Sequence, residues 1–493
     1  MQRFELDGKE YEATSPDFLA LLPAAHQAKQ RPLCLCQHPG PGIPMYLARF
    51  DERFLVKRMP GTGTQHTVNC DAFEAPADLT GLGELEGHAI VEDVDTGQVT
   101  LRLGYALAKG TSRQMPEPSG KEADSIHADP KKLSLRGTLH YLYEQAGLNR
   151  WSPAMAGKRN WYVVRKYLLQ AAADKQAKRM NLLDLLYIPE RFVSEQKAQI
   201  EQRRVAHLAR ISRSASGKPH YVLVIGEIKE IVAARDRKFK LVIKHLPNYD
   251  LMLESKTHER LRDRFAAEFE LWSSVEGAQL MVIATVSLSA TGTATVQECS
   301  VMLTSRQWIP FEHRHDAALL AALAERRYQK CLRYNQASSR PIASVLLTDT
   351  AKATALYVVP PEADDAFRAD LAAQVQESEL DTWVWDPRIQ TMPPLPEVDA
   401  NWARMKSPPK PTSARRGPPY ASPSAADYHD PIPLDALPFD TVPPYETPFD
   451  SMPPDDIHRA PQPTSLRDWQ PDPSPGPRDG SDLDDPDSPG NWL

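Results

Sequence analysis

The chain has 493 residues, of which 41% are hydrophobic and 25% are charged. These proportions are close to those of ordinary globular proteins, and the length favours two to four folded units. Proline is unusually abundant, because 25 of its 45 residues fall between Pro393 and Leu493. This composition excludes a collagen, a coiled coil and a protein with many membrane spans.

The net charge of −7 is unevenly distributed along the chain. From Asp427 to the end there are 15 acids and 3 arginines, a charge of −12, so residues 1–426 carry +5. The segment Lys131–Arg213 holds 17 Lys and Arg against 6 Asp and Glu, a charge of +11. A basic segment of this kind favours a polyanion such as nucleic acid, whereas the acidic end repels one.

The sequence favours a cytoplasmic protein with no membrane partner. Its first residues lack the basic, apolar and small-residue order of a secretory signal. The longest apolar run, LMVIATVSLSA from Leu280, is shorter than the roughly 20 residues that span a bilayer. Five cysteines are too few for a disulfide framework, so free thiols are expected.

Residues 1–110 form the first predicted domain, which is rich in short strands. Apolar and polar residues alternate in several short runs that are bounded by Gly and Pro, the pattern of hairpins. The expected elements are a strand at Phe4 and Leu6, a helix near Asp17–Lys29, strands Met45–Arg49 and Phe54–Met59, and a hairpin over 89–109.

Four potential zinc ligands flank the first of these hairpins. Cys34 and Cys36 form one pair, His66 and Cys70 form a second pair, and 29 residues separate the two pairs. Structural zinc binds four N or S donors, usually supplied as two short-spaced pairs. We therefore predict a zinc-ribbon-like region with a structural zinc, because all four donors are used, and His38 is an alternative ligand. The competing interpretation is that the cysteines are small core residues and His66 is exposed.

A basic helical domain is predicted over 133–215, after a polar linker at 111–132. Apolar residues recur three and four apart in LRGTLHYLYEQAGL, NWYVVRKYLLQAAADK and NLLDLLYI, which predicts helices. Basic residues alternate with Trp and Tyr here, as on surfaces that bind phosphates and stack unpaired bases. The alternative is an apolar stripe with a solvated charged face. The candidate nucleic-acid contacts are Arg136, Lys158, Arg159, Arg165 and Lys166.

A mixed α/β domain is predicted over 216–392, which makes the fold class α+β. Strands are expected in HYVLVIGEIKEIV, KFKLVIKHL, AQLMVIATVSLSA, TATVQECSVMLTS, QWIPFEH, IASVLLTD and TALYVVP, and helices at Glu259–Ser274, Asp316–Tyr334 and near Ala363–Gln376.

Residues 393–493 lack periodicity, so a disordered, proline-rich, acidic tail is predicted. Its repeated apolar–Pro–acid pattern is typical of motifs that dock on an unidentified protein, although a merely solubilising tail fits as well.

The order strand, helix, strand, strand from Trp308 to Pro360 resembles the restriction-endonuclease-like core, here about 308–390. That resemblance implies an Asp and a Glu-x-Lys pair that hold Mg or Mn. The Asp position falls at Ala343 or Ser344, and the Glu-x-Lys positions fall at Tyr357 and Val359, so the core is predicted to be degenerate.

A nuclease remains open as an alternative, because acids and a lysine occur nearby. Glu227-Ile228-Lys229 has the residue types and spacing of a Glu-x-Lys pair, and Glu312 or Asp349 would supply a second carboxylate. Such a site would need Mg or Mn.

A family resemblance follows from CLC, MYLARFDERFLVKRMPGTGTQHTVNC, LRGTLHYLYEQAGLNRWSPAMAGKRNW and LVIGEIKE. These segments resemble the uncharacterised proteobacterial family DUF1173, over roughly residues 1–396. The resemblance implies a bacterial protein carried by integrative and conjugative elements or plasmids, with no assigned activity.

Taken together, the sequence favours a non-catalytic, zinc-stabilised nucleic-acid-binding accessory protein of a mobile genetic element. The alternatives are a metal-dependent nuclease acting on DNA, and a protein–protein scaffold that uses the tail.

Overall fold

The computed structural model describes residues 2–400 except 51–52, 60, 69, 94–97, 109–130, 174 and 213–219. Most of the predicted linker, and the predicted tail beyond residue 400, lie outside the described residues. The helices are α1 Pro16–Gln27, α2 Leu135–Gln145, α3 Trp161–Ala172, α4 Lys197–Ser212, α5 Ser255–Arg264, α6 Ala266–Ser274, α7 Arg314–Ala322 and α8 Asp365–Glu377.

The strands alternate with the helices along the chain, and the predicted α+β class is confirmed. They are β1 Arg3–Leu6, β2 Lys9–Glu12, β3 Leu33–Cys34, β4 Ile43–Phe50, β5 Arg53–Arg58, β6 Ile90–Glu92, β7 Val99–Leu101, β8 Arg150–Trp151, β9 Lys175–Ala177, β10 Met180–Asn181, β11 Leu186–Tyr187, β12 Val222–Ala233, β13 Phe239–Ile243, β14 Leu251–Leu253, β15 Gln279–Leu288, β16 Ala294–Thr304, β17 Tyr328–Lys330, β18 Val345–Leu347, β19 Thr354–Val358 and β20 Asp381–Trp385.

Four of the helices begin where a Ser, Asn or Asp side chain caps the first turn. The side chains of Ser15, Ser134, Asn160 and Asp364 each accept a hydrogen bond from the backbone N–H three residues later. Such a cap satisfies one of the backbone donors that the first turn leaves without a partner. These residues therefore fix where α1, α2, α3 and α8 start.

The N-terminal sheet places the predicted zinc ligands. Its strand order is β2-β1-β3-β4-β5, and every neighbouring pair is antiparallel. The hairpin of β4 and β5 matches the predicted one, with Met45 opposite Arg58. Phe4 and Phe18 pack in its core together with Leu346 and Tyr357, which come from β18 and β19.

Five strands form a closed barrel in the order β12-β13-β14-β16-β15. Neighbours are antiparallel except β14 and β16, which are parallel. The barrel closes because β12 pairs with two strands. Residues Val222–Glu227 pair with β15, and the residues from Ile228 onward pair with β13, with a bulge between Ile228 and Glu230. Leu261 of α5 and Phe265, which lies between α5 and α6, are buried in the barrel core.

The remaining strands form two smaller sheets, ordered β10-β9-β7-β6 and β20-β19-β18-β17-β8. β8 belongs to the predicted helical region, yet it pairs with β17. The described residues belong to one compact unit, and their cores cross the predicted boundaries. The division into separately folding domains stays a prediction.

Two predicted helices are wrong in part, and long-range strand pairing explains both. The helix expected over Asp316–Tyr334 ends at Ala322, because Tyr328–Lys330 becomes β17 between β18 and β8. In NLLDLLYI only a short turn forms before Leu186 and Tyr187 pair with β12. Pairing with a distant strand outweighs local helical preference in both segments.

The buried His140 predicts a pH-dependent contribution to stability. Its Nδ1 accepts a hydrogen bond from Tyr334 N–H at 3.0 Å, and burial, together with Arg136, lowers the pKa of His140 to about 3. Unfolding raises that pKa to roughly 6.5, so the contribution is complete above pH 6.5 and is lost as the pH falls toward 3.

Between pH 7.5 and 5.5 we expect His140 to contribute about 1 kcal/mol less to the free energy of unfolding. Urea titrations at both pH values should show this loss in the wild type. A His140→Asn variant keeps an acceptor for Tyr334 N–H and should lack that component. An equal pH dependence in both proteins would contradict the assignment.

Candidate metal centre

The Cys/His cluster, defined as Cys34, Cys36, His66 and Cys70, comes together as the sequence predicts. One ligand atom from each residue lies within 4.8 Å of all the others. The measured separations are 3.6 Å between the Sγ atoms of Cys34 and Cys70, and 3.5 and 3.6 Å from His66 Nδ1 to the Sγ atoms of Cys36 and Cys70. Tetrahedral zinc would set the S···S distance at about 3.8 Å and the S···N distance at about 3.6 Å. The cluster therefore fits a structural metal such as zinc.

Both pairs of ligands adjoin the N-terminal sheet. Cys34 ends β3, where it lies opposite Phe4 of β1 and Ile43 of β4. His66 and Cys70 follow the β4–β5 hairpin, and Cys70 N–H donates to the carbonyl of Thr67. His38, the alternative ligand, is exposed and does not belong to the cluster. With four protein donors the site leaves no position for substrate, as in structural zinc sites.

Hydrogen bonds among the sulfur atoms favour a thiolate at Cys34. The backbone N–H of Ala72 donates to Cys70 Sγ at 3.4 Å, and the side-chain amide of Gln2 lies 3.7 Å from the same atom. The hydrogen bond with Cys70 lowers the pKa of Cys34 to about 4 and raises the pKa of Cys70. Thiolates are the form of cysteine that binds metals.

The acids proposed for the nuclease alternative each lie in a separate ion pair. Glu227 is buried and pairs with Lys244, whereas Lys229 is exposed and pairs with Glu230. Glu312 pairs with Arg333 at 2.9 Å, and Asp349 pairs with Arg326 at 2.9 Å. In the part of the chain that the structure describes, no group of three or more acidic or histidine ligands forms outside the Cys/His cluster.

Two of the five predicted nucleic-acid contacts donate to backbone carbonyls, and of these Arg159 is buried and Arg136 is half-buried. Arg159 is 7% exposed and its guanidinium donates to backbone carbonyls, including that of Leu148 at 2.8 Å. Arg136 donates to the carbonyls of Tyr334 and Gln336, both at 2.8 Å. Burial lowers the pKa of both guanidinium groups. These guanidinium groups join backbone segments that are distant in sequence.

The other three candidates lie on or just before α3. Lys158, Arg165 and Lys166 are half-buried, and Arg165 Nε donates to the carbonyl of Ile188 at 3.0 Å. Tyr162, on the same helix, is 46% exposed. The sequence pattern does not distinguish these residues from the buried Arg159.

A cavity of about 190 Å³ lies beside the loop that carries Cys70, and no motif pointed to it. Its lining mixes both charges, with Arg58 and Lys175 among the cations and Glu74 and Glu144 among the acids. Burial, reinforced by Glu74, raises the pKa of Glu144 to about 7. Because its lining carries charges of both signs, this cavity does not favour a phosphate ligand.

No helix among the described residues combines the length and apolar character needed to cross a bilayer.

Comparison with known proteins identifies a family but no activity. No curated protein and no solved structure matches the chain. Residues 4–388 match the family described as "Protein of unknown function (DUF1173)". This match spans the Cys/His cluster, the α3 segment and the barrel. The chain belongs to the DUF1173 family.

Proposed function

We propose that this protein is a non-catalytic, zinc-stabilised nucleic-acid-binding accessory protein of a bacterial mobile genetic element. The observation that carries the proposal is the α3 face, defined as Tyr162, Arg165 and Lys166. Residues three and four apart share one side of a helix, so an exposed aromatic ring stands beside two cations. Such a combination suits phosphates and unpaired bases together.

The surrounding charge supports the same proposal. The segment Lys131–Arg213 carries +11, and only Arg159, Lys175 and Arg204 among its described cations are buried. The other described cations are exposed or half-buried, so the excess charge reaches the surface. Lys158, which is also half-buried, precedes α3 by three residues and adds a further cation near its start.

A non-catalytic role is proposed because the candidate acids are already neutralised in separate pairs. A nuclease needs carboxylates that share a metal ion, and Glu227, Glu312 and Asp349 each pair with a different cation. The scaffold alternative depends on the tail, which lies outside the described residues. The family resemblance supports three further parts of the proposal. These are that the protein belongs to a mobile genetic element, that it acts in the bacterial cytoplasm, and that its nucleic-acid partner is DNA.

We expect the double variant Lys158→Glu/Lys166→Glu to bind DNA at least about tenfold more weakly than the wild type at 100 mM salt. Loss of two phosphate contacts should also reduce the slope of log Kd against log salt by about 2. Fluorescence anisotropy with labelled single-stranded and duplex DNA measures both quantities.

The matched control is Lys352→Glu, which reverses a cation that is 57% exposed and lies outside α3. Its affinity should stay within about twofold of the wild type. The proposal fails if wild-type protein binds neither form at 50 mM salt, or if the double variant keeps wild-type affinity. DNA cleavage with Mg or Mn, abolished by Glu227→Gln, would instead establish the nuclease alternative.

A further inference from the structure

The barrel has the strand order of the oligonucleotide- and oligosaccharide-binding fold. In that five-stranded Greek-key barrel the first strand is long and pairs with strands two and four, and strand three runs parallel to strand five. Here β12 pairs with β13 and β15, β14 runs parallel to β16, and α5 and α6 join β14 to β15. The ligand surface of that fold is the outer face of strands two and three with the neighbouring loops. The equivalent surface here is β13 and β14 with loops 234–238 and 289–293.

Fold alone does not establish function, so the side chains on this surface have to carry the inference. Val232, Lys240 and Met252 lie opposite one another across β12, β13 and β14. They point outward, because the adjacent row of Leu241 and Leu251 is buried in the barrel. All three are half-buried. A lysine between apolar side chains offers a contact for a phosphate next to contacts for the faces of bases.

The loop between β12 and β13 adds positive charge at one end of this surface. Residues 234–244 contain five Lys and Arg and one Asp, a charge of +4. Arg235 and Arg237 are exposed, and neither forms an ion pair with another described residue. Lys238 and Lys240 are partly neutralised by Glu254 and Asp250, both at 2.9 Å. The two arginines are therefore the cations available to a polyanion.

The loop between β15 and β16 closes the other end with hydroxyl groups. Ser289, Thr291 and Thr293 are exposed, and each can donate to a phosphate oxygen. Tyr249 OH donates to the carbonyl of Gly292 at 3.2 Å, which ties this loop to the β13–β14 connection. The strands thus lie between a basic loop and a hydroxyl-rich loop.

From this juxtaposition we propose that the outer surface of β13 and β14, with Arg235 and Arg237, binds single-stranded nucleic acid. The cations select a polyanion over a neutral oligosaccharide. The apolar row selects unpaired bases, whose faces are hidden in a duplex. This site is separate from the α3 face, and it goes beyond the proposed function by naming a second surface and the form of nucleic acid.

The test compares two charge-reversal variants of the zinc-loaded full-length chain. Arg235→Glu/Arg237→Glu alters the barrel loop, Lys158→Glu/Lys166→Glu alters the α3 face, and Lys352→Glu is the control. A 15-nucleotide oligo(dT), the matching duplex and neutral chitohexaose are the probes. We expect the wild type to bind the single strand at least tenfold more tightly than the duplex. The barrel variant should lose at least tenfold in affinity for the single strand, with unchanged zinc content and melting temperature.

The outcomes separate this proposal from the proposed function. If the α3 variant loses affinity and the barrel variant does not, the barrel proposal is overturned and the α3 interface stands. If only the barrel variant loses affinity for the single strand, the barrel proposal stands and the α3 interface fails. A wild type that prefers duplex, or that binds chitohexaose instead of the single strand, also overturns the barrel proposal.

Discussion

Replacing Cys70 with serine should release the metal and lower the free energy of unfolding around the site by at least about 5 kcal/mol. Cys70 is 7% exposed and packs in the core that contains Phe4, Phe18 and Met45. Structural zinc in small zinc-binding peptides contributes roughly 10–16 kcal/mol, because the ligands converge only in the folded state. Losing one of four ligands removes most of that contribution and leaves the other thiolates buried beside one another.

Metal analysis and urea unfolding of the purified variant measure both parts of this expectation. The control is Cys299→Ser, which changes a cysteine on β16 that lies outside the Cys/His cluster. It should retain the metal and unfold close to the wild type. A Cys70→Ser variant with wild-type stability and metal content would contradict a structural metal at this site.

Replacing Asp349 with asparagine should cost about 3–5 kcal/mol, because it leaves a buried guanidinium without its counter-ion. Asp349 is almost fully buried, and its carboxylate accepts from Arg326 Nε at 3.0 Å and Nη2 at 2.9 Å. The same carboxylate accepts from Arg327 N–H at 2.9 Å. Arg326 also donates to the carbonyl of Pro396, so the pair anchors the end of the described chain.

Urea unfolding compares this variant with Asp381→Asn, which breaks an exposed ion pair with Lys352. Exposed pairs contribute at most about 1 kcal/mol, so this control should be nearly neutral. The comparison also bears on the nuclease alternative, in which Asp349 would bind a metal ion. An unchanged stability for Asp349→Asn would contradict the structural role and would free its carboxylate for another function.

The Cys/His cluster could be predicted from sequence because its chemistry is local. The two pairs of ligands flank the hairpin of β4 and β5. These strands are neighbours in sequence, so their pairing alone brings the two pairs of ligands together. The ligand atoms then meet within a few ångströms. Short range in sequence made this part of the site predictable.

The roles of the arginines could not be predicted, because they depend on distant backbone groups. Arg136 donates to carbonyls about 200 residues away, and Arg159 donates to Leu148 and to Gln307. A count of charges in a sequence segment does not reveal which guanidinium groups face inward. The net charge of the segment can be read from sequence, but the hydrogen bonds that Arg136 and Arg159 make to distant carbonyls cannot.

The barrel escaped prediction for a related reason. Four of its five strands were predicted and the short β14 was not, and closure depends on the bulge in β12 and on the parallel pairing of β14 with β16. Both are long-range features that alternation within one strand does not encode. For the same reason the basic loop at Arg235 and Arg237 was not recognised as part of a surface.

X-ray absorption spectroscopy at the zinc edge, combined with metal analysis of purified full-length protein, tests the central claim most directly. We predict one zinc per chain, bound by three sulfur atoms at about 2.3 Å and one nitrogen at about 2.0 Å. Absence of zinc, or a first shell made of oxygen atoms, would contradict a centre built from Cys34, Cys36, His66 and Cys70.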